Sequence, residues 1–237
     1  MAPKREEFIL DVRRAARLAE KPTVITSSGL ANPDVIAKTL HGAALWLTPE
    51  VVRQYDPGDW PPELRGSLTR AVESFRTIAA TVPANGSDKT EQFARGEAAF
   101  RALVTALRDV VLPEWMDAVH RLVANTESWA KDCGWVTKRV QKRLSETLLG
   151  TYETSQLLMH AAPNLYVLDP VARFVPGAAG AFDLSVQPSF YTVSLYRDFD
   201  GVWHAHHEVG QGANVGKRDV WSKDTLKKCV EELGALQ

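Results

Sequence analysis

Residues 191–203 read YTVSLYRDFDGVW, and the class of fold turns on how they are read. Tyr191, Val193 and Leu195 alternate with Thr192, Ser194 and Tyr196, which places the first three on one face of a strand. Asp200-Gly201 then stands directly before Val202-Trp203. This dipeptide tolerates the positive φ of a tight hairpin turn, so the chain is expected to reverse there and pair with itself.

The two-residue period reaches back to Asn164 and forward to Val209. Strands are expected over 165–175, 182–187, 191–197 and 202–209, with turns at 177–180, 188–189 and 198–201. Ser222 is placed to cap a closing helix that carries Leu226, Cys229, Val230 and Leu233. This makes a four-strand antiparallel meander with one helix over a face.

Upstream of Asn164 the apolar residues recur every three or four positions, as on amphipathic helices. Phe8, Val12, Ala15, Ala16 and Ala19 form a first stripe, which Pro22 ends. Asn32-Pro33-Asp34 and Thr48-Pro49-Glu50 carry the cap, proline and acid of a helix start. Leu64, Leu68, Val72, Phe75, Ile78 and Val82 mark a helix over 62–82. Phe93, Phe100, Leu103, Leu107 and Val110 mark another over 88–111. Pro113 starts a new helix or kinks that one, and Trp115, Val119, Leu122 and Trp129 continue the stripe to Gly134. Val140, Leu144 and Leu148 give a last helix over 137–149. The expected architecture is therefore α+β, with a helical bundle over 1–163 and a small antiparallel sheet plus terminal helix over 164–237. The two parts are expected to be able to form one compact unit.

Composition sets the outer bounds. The chain has 237 residues, with 28 Lys plus Arg against 29 Asp plus Glu, 45% hydrophobic and 24% charged residues. That balance is typical of globular proteins and excludes a disordered tail, a disulfide scaffold and a strongly basic nucleic-acid packager. A chain this long buries roughly 70–75% of its unfolded surface and needs no metal or disulfide staple. Asp11, Arg13 and Arg14 interrupt the N-terminal apolar residues, and Glu6, Glu7 and Glu20 are foreign to a transit peptide. No run of about 18 apolar residues suggests a membrane span. Cys133 and Cys229 stand alone, without metal-ligand spacing, so a reducing cytoplasm is expected. The abundance of Ala and Arg suggests a GC-rich bacterial genome. No cofactor is implied.

The densest chemical cluster is His204-Ala-His206-His207-Glu208. Alternation puts His204 and His206 on one strand face, where two imidazoles can serve as ligands to Zn²⁺ or a similar ion. A solvent-facing strand explains the same pair without any metal. Gly210–Arg218 is glycine-rich but lacks the GK[ST] ending and the dinucleotide spacing, and reads as an exposed connection. Lys138, Arg139, Lys142 and Arg143 lie opposite the Val140/Leu144/Leu148 stripe of the expected helix. With Glu146 the segment is net +3, a basic face suited to phosphates or simply to solvent. Neither cysteine suits a nucleophile, since Cys133 closes a helix and Cys229 belongs to an apolar stripe. Trp60, beside Pro61-Pro62, is an anchor candidate for a partner.

These readings favour a non-catalytic accessory or interaction subunit that presents Tyr191, Tyr196, Trp203 and His204, or the Trp60 loop, to a protein. The alternatives are a metal-dependent hydrolase built on His204 and His206, and a nucleic-acid-associated subunit using Lys138, Arg139, Lys142 and Arg143.

Overall fold

The structure, a computed structural model, describes residues 5–7, 9–10, 12–13, 90–189, 191–207 and 218–237. Its chain divides into two compact units. One comprises Met1–Leu112 with Thr147–Leu149, the other Pro113–Glu146 with Gly150–Gln237. In the first, residues 5–7, 9–10 and 12–13 are helical, with Ile9 and Val12 buried. The helices expected over 33–47, 49–55 and 62–82, Trp60 and the glycine-rich loop through Lys217 lie outside the described residues.

Helix α1, Thr90–Asp132, is continuous and carries Pro113 inside it. Gly134, at φ +78°, stops it. Its N–H donates to the Lys131 carbonyl at 2.9 Å, and the Trp135 N–H donates to the Ala130 carbonyl at 3.0 Å. That is the Schellman closure, which favours a residue free to adopt positive φ.

Beyond Gly134 the chain becomes extended. Seven strands follow: β1 Val136–Glu146, β2 Gly150–Ala161, β3 Asn164–Ala172, β4 Ala181–Gln187, β5 Thr192–Arg197, β6 Trp203–His206 and β7 Arg218–Val220. They lie in chain order in one sheet, each antiparallel to the next. Helix α2, Lys223–Gly234, closes the chain, and the Ser222 side chain accepts a hydrogen bond from the Thr225 N–H as its cap.

This overturns the expectation of an N-terminal helical bundle packed with a four-strand sheet. The sheet has seven strands and begins at Val136, and α1 is the one long helix among the described residues. The segment 137–149 is no helix but β1 and its turn into β2, paired from Val136↔His160 to Glu146↔Gly150. The reason is a degeneracy of period. Val140, Leu144 and Leu148 are four apart, close to one helical turn and equal to two strand repeats. Eleven register partners on β2, with Thr151, Tyr152 and Thr154 among its β-formers, resolve the ambiguity toward strand.

In the second unit α1 and α2 cover one face of the sheet. Trp115, Val119, Leu122, Val123 and Ala130 of α1 are buried, as are Leu157, Tyr166, Leu168, Phe182, Leu184, Val193, Leu195 and Ala205 of the strands. Fully burying such side chains stabilises by about 1.5–3 kcal/mol each. At the centre the Trp115 ring lies 6.3 Å from Phe182 and 6.2 Å from Trp203, and Phe182 meets Trp203 edge-on at 5.4 Å. Three side-chain donors within this layer find acceptors. Trp115 Nε1 donates to the Tyr152 hydroxyl at 2.9 Å, Trp221 Nε1 to Thr126 Oγ1 at 3.0 Å, and the Tyr166 hydroxyl to the Val230 carbonyl at 2.9 Å.

Candidate binding surface

The first strand is the longer of the two edge strands among the described residues, neither of which has a buried residue. No residue of β1 is buried, and Val136 retains 71% of its surface. Among the described residues β1 pairs with β2 alone, so its outer edge presents backbone donors and acceptors over eleven residues. Such an edge is a template for another strand unless it is blunted by charge.

Strand geometry also rearranges the four cations. Lys138 and Lys142 point to one face, Arg139 and Arg143 to the other, so the single basic helix face expected from sequence does not form. Most of the charge is engaged. Lys142 Nζ sits 2.7 Å from both Asp169 oxygens and 3.0 Å from the Pro170 carbonyl, and Gln156 also donates to Asp169 at 2.9 Å. Arg139 binds Glu127 Oε2 of α1 at 2.6 Å, while Lys131 takes Oε1 at 2.8 Å. The Lys131 hydrogen bond, together with Arg139, outweighs the effect of burial and holds the Glu127 carboxyl below the usual carboxylate range. Arg143 and Glu153 are 3.7 Å apart and 74% and 58% exposed, a loose pair. Lys138 is exposed and has no ion pair or hydrogen bond among the described residues. The strand's single acid, Glu146, is turned to internal use. It accepts from the Tyr152 hydroxyl and from the backbone N–H groups of Arg173 and Phe174.

Across the face opposite the helices runs a row of polar residues in register: Asp169↔Asp183, Asp183↔Ser194, Ser194↔His206 and His206↔Arg218. Ser194 donates to Asp183 at 2.9 Å, and His206 meets the Tyr196 ring edge-on at 4.9 Å. His204 shares this face, its Nε2 2.9 Å from Asp198 Oδ2. Asp198 is itself a turn residue: its Oδ1 accepts from the N–H groups of Asp200 and Val202. Burial pushes its carboxyl up, but the bonds from His204 and these amides prevail and hold it below the ordinary range. Arg218 adds a cation 3.6 Å from Asp198 Oδ2, the oxygen that meets His204. The Asp198–His204 contact thus braces the β5–β6 hairpin.

His204 and His206 do share a face, as alternation predicts. Among the described residues, however, no group of three or more His, Cys, Asp or Glu is placed to hold a metal ion. Asp183, in line with His206, is two strands away, roughly 10 Å at the usual strand spacing and too far to share an ion. His207 turns to the opposite face. Its ring is 1% exposed, with Nδ1 2.9 Å from Glu232 Oε2 and Nε2 3.6 Å from Asp219 Oδ2, and Lys228 balances Asp219 at 2.8 Å.

The aromatic residues expected to form one patch are divided. Trp203 joins Trp115 and Phe182 in the interior, Tyr196 lies on the polar face against His206, and Tyr191 is 41% exposed just before β5. Sequence reasoning missed the β1 edge, the engagement of its cations by Glu127 and Asp169, and the polar row from Asp169 to Arg218. Gly150, followed by the β-formers Thr151, Tyr152 and Thr154, was the local signal for a hairpin.

The chain matches no protein-family model, no curated protein and no solved structure.

Proposed function

We propose that the protein is a non-catalytic interaction subunit that takes an extended segment of a protein partner along the outer edge of β1. The observation that carries this reading is the eleven-residue strand with no buried side chain and no outer neighbour among the described residues. Strand addition satisfies the outward N–H and C=O groups with main-chain hydrogen bonds, while alternate side chains select the sequence. Two free thiols, Cys133 and Cys229, support a cytoplasmic setting. No described helix is long and apolar enough to cross a membrane.

The other readings have less support. A hydrolase built on His204 and His206 requires a third ligand, and His204 is already engaged with Asp198. A phosphate-binding stripe requires the four cations on one face, whereas they divide between two, and three of them pair with Glu127, Asp169 and Glu153.

The test is selection from a displayed library of random twelve-residue segments, followed by hydrogen exchange on the selected complexes. Enriched segments rich in β-forming residues that slow exchange of β1 amides are expected. Selected ligands that protect other amides while β1 exchanges unchanged would refute the reading.

A further inference from the structure

Resting on the strand-addition reading, we infer that the segment docked on β1 is acidic, with carboxylates in adjacent pairs repeated every four residues. The argument starts from the strand VTKRVQKRLSE. Its cations form two adjacent pairs, Lys138-Arg139 and Lys142-Arg143, separated by four residues or about 14 Å along an antiparallel strand. Each pair sends one cation to either face. A neighbouring strand places its side chains about 4.5–5.5 Å from those opposite, so a carboxylate pair with the same spacing meets both cation pairs at once.

The local balance of charge leaves room for it. Around β1 the cations Lys131, Lys138, Arg139, Lys142 and Arg143 face the carboxylates Glu127, Glu153 and Asp169. Glu146 keeps its charge but lies four residues, about 14 Å, beyond Lys142 along the strand, where it holds Tyr152 and the amides of Arg173 and Phe174. The same arithmetic disfavours a second copy of this chain as occupant. An antiparallel β1–β1 pairing centred on Gln141 sets Arg139 of each copy against Arg143 of the other and leaves Lys138 and Lys142 opposite Leu144 and Val140, and like charges directly opposite destabilise a strand pair. A nucleic acid offers negative charge but no backbone to complete the ladder.

The experiment uses the full chain and three twelve-residue fluorescent peptides. The first carries two Glu-Glu pairs four residues apart among Val and Thr, the second has Gln for Glu, and the third is the first with every backbone nitrogen methylated, which blocks both of its edges. Anisotropy should show the acidic peptide binding about tenfold or more tightly than the neutral one, with an advantage that shrinks as salt is raised. Methylation should abolish binding. The double variant Lys138→Gln and Arg143→Gln should remove most of the acidic preference. Its thermal transition should stay unchanged, because Lys138 has no internal partner and Arg143 only a loose one.

Equal affinity for the neutral and acidic peptides, with binding of the acidic one lost on methylation, overturns the inference and leaves strand addition standing. Binding of the methylated peptide as tight as the parent overturns both, as does binding of none of the three. Displacement of the acidic peptide by a single-stranded oligonucleotide without protection of β1 amides also overturns the inference, in favour of a charge-only surface.

Discussion

Replacing Gly180 with Ala tests the central packing of the second unit. A Cβ built at this position falls 2.3 Å from Trp115 Cζ3 and 2.8 Å from Cη2, and the backbone φ is +148°. Two separable penalties result. Positive φ costs a non-glycine residue about 1–2 kcal/mol, and forcing a methyl against a packed ring costs a further 1–3 kcal/mol or so. With both penalties near mid-range, the expected loss is about 3–4 kcal/mol. For a unit of about 120 residues that corresponds to a fall in Tm of about 12–16 °C. Gly177→Ala is the internal control. Its φ is +74° but nothing lies within 4 Å, so only the backbone penalty of about 1–2 kcal/mol applies. Thermal and urea unfolding followed by circular dichroism measure both. In a Trp115→Leu background the Gly180→Ala penalty should shrink toward that of Gly177→Ala, a coupling expected only of residues in contact. Equal losses for the two glycine variants, or simple additivity with Trp115→Leu, would refute the packing argument.

Three other outcomes follow from the same interior and its edge. Thr126→Val removes the acceptor of the Trp221 indole N–H, both residues being buried, and should cost about 1–3 kcal/mol by denaturant midpoint with an unchanged m value. A change below half a kcal/mol or so would show that the hydroxyl is dispensable. Burial, with Glu232 nearby, pushes the Cys229 thiol up to about 12, so thiol titration of the native protein at pH 8 should find Cys133 reactive and Cys229 silent until denaturant is added. Two thiols reacting at comparable rates in the native state would contradict this. Glu127 is held below its ordinary range, so its contribution is present above the unfolded carboxylate value and fades as pH falls through the folded one. The stability difference between the protein and Glu127→Gln should therefore be full at neutral pH and narrow on acidification below about pH 4; a gap that widens on acidification would reverse the assignment.

The sequence carried a local signature for some elements and none for others. Gly134 ends α1, Ser222 starts α2, and Asp198 to Val202 turn β5 into β6, because each of these is decided by residues within five positions of one another. The same holds for the alternation through Val193 and Leu195, whose burial matches its two-residue period. Residues 137–149 had no such local arbiter. An apolar spacing of four fits both periods, and the choice fell to the partner strand β2, which closes the hairpin only after the chain has turned at Thr147–Leu149.

For the candidate surface the division is the same. Composition and spacing alone determined which residues are basic, which strand face His204 shares with His206, and that the two cysteines stand apart. The tertiary structure decided what those residues do. It separated Lys138 and Lys142 from Arg139 and Arg143, brought Glu127 and Asp169 to them from elements 12 and 27 residues away, and left β1 at the margin of the sheet. Charge and period are properties of neighbours along the chain, whereas an edge exists only when the other six strands have taken their places.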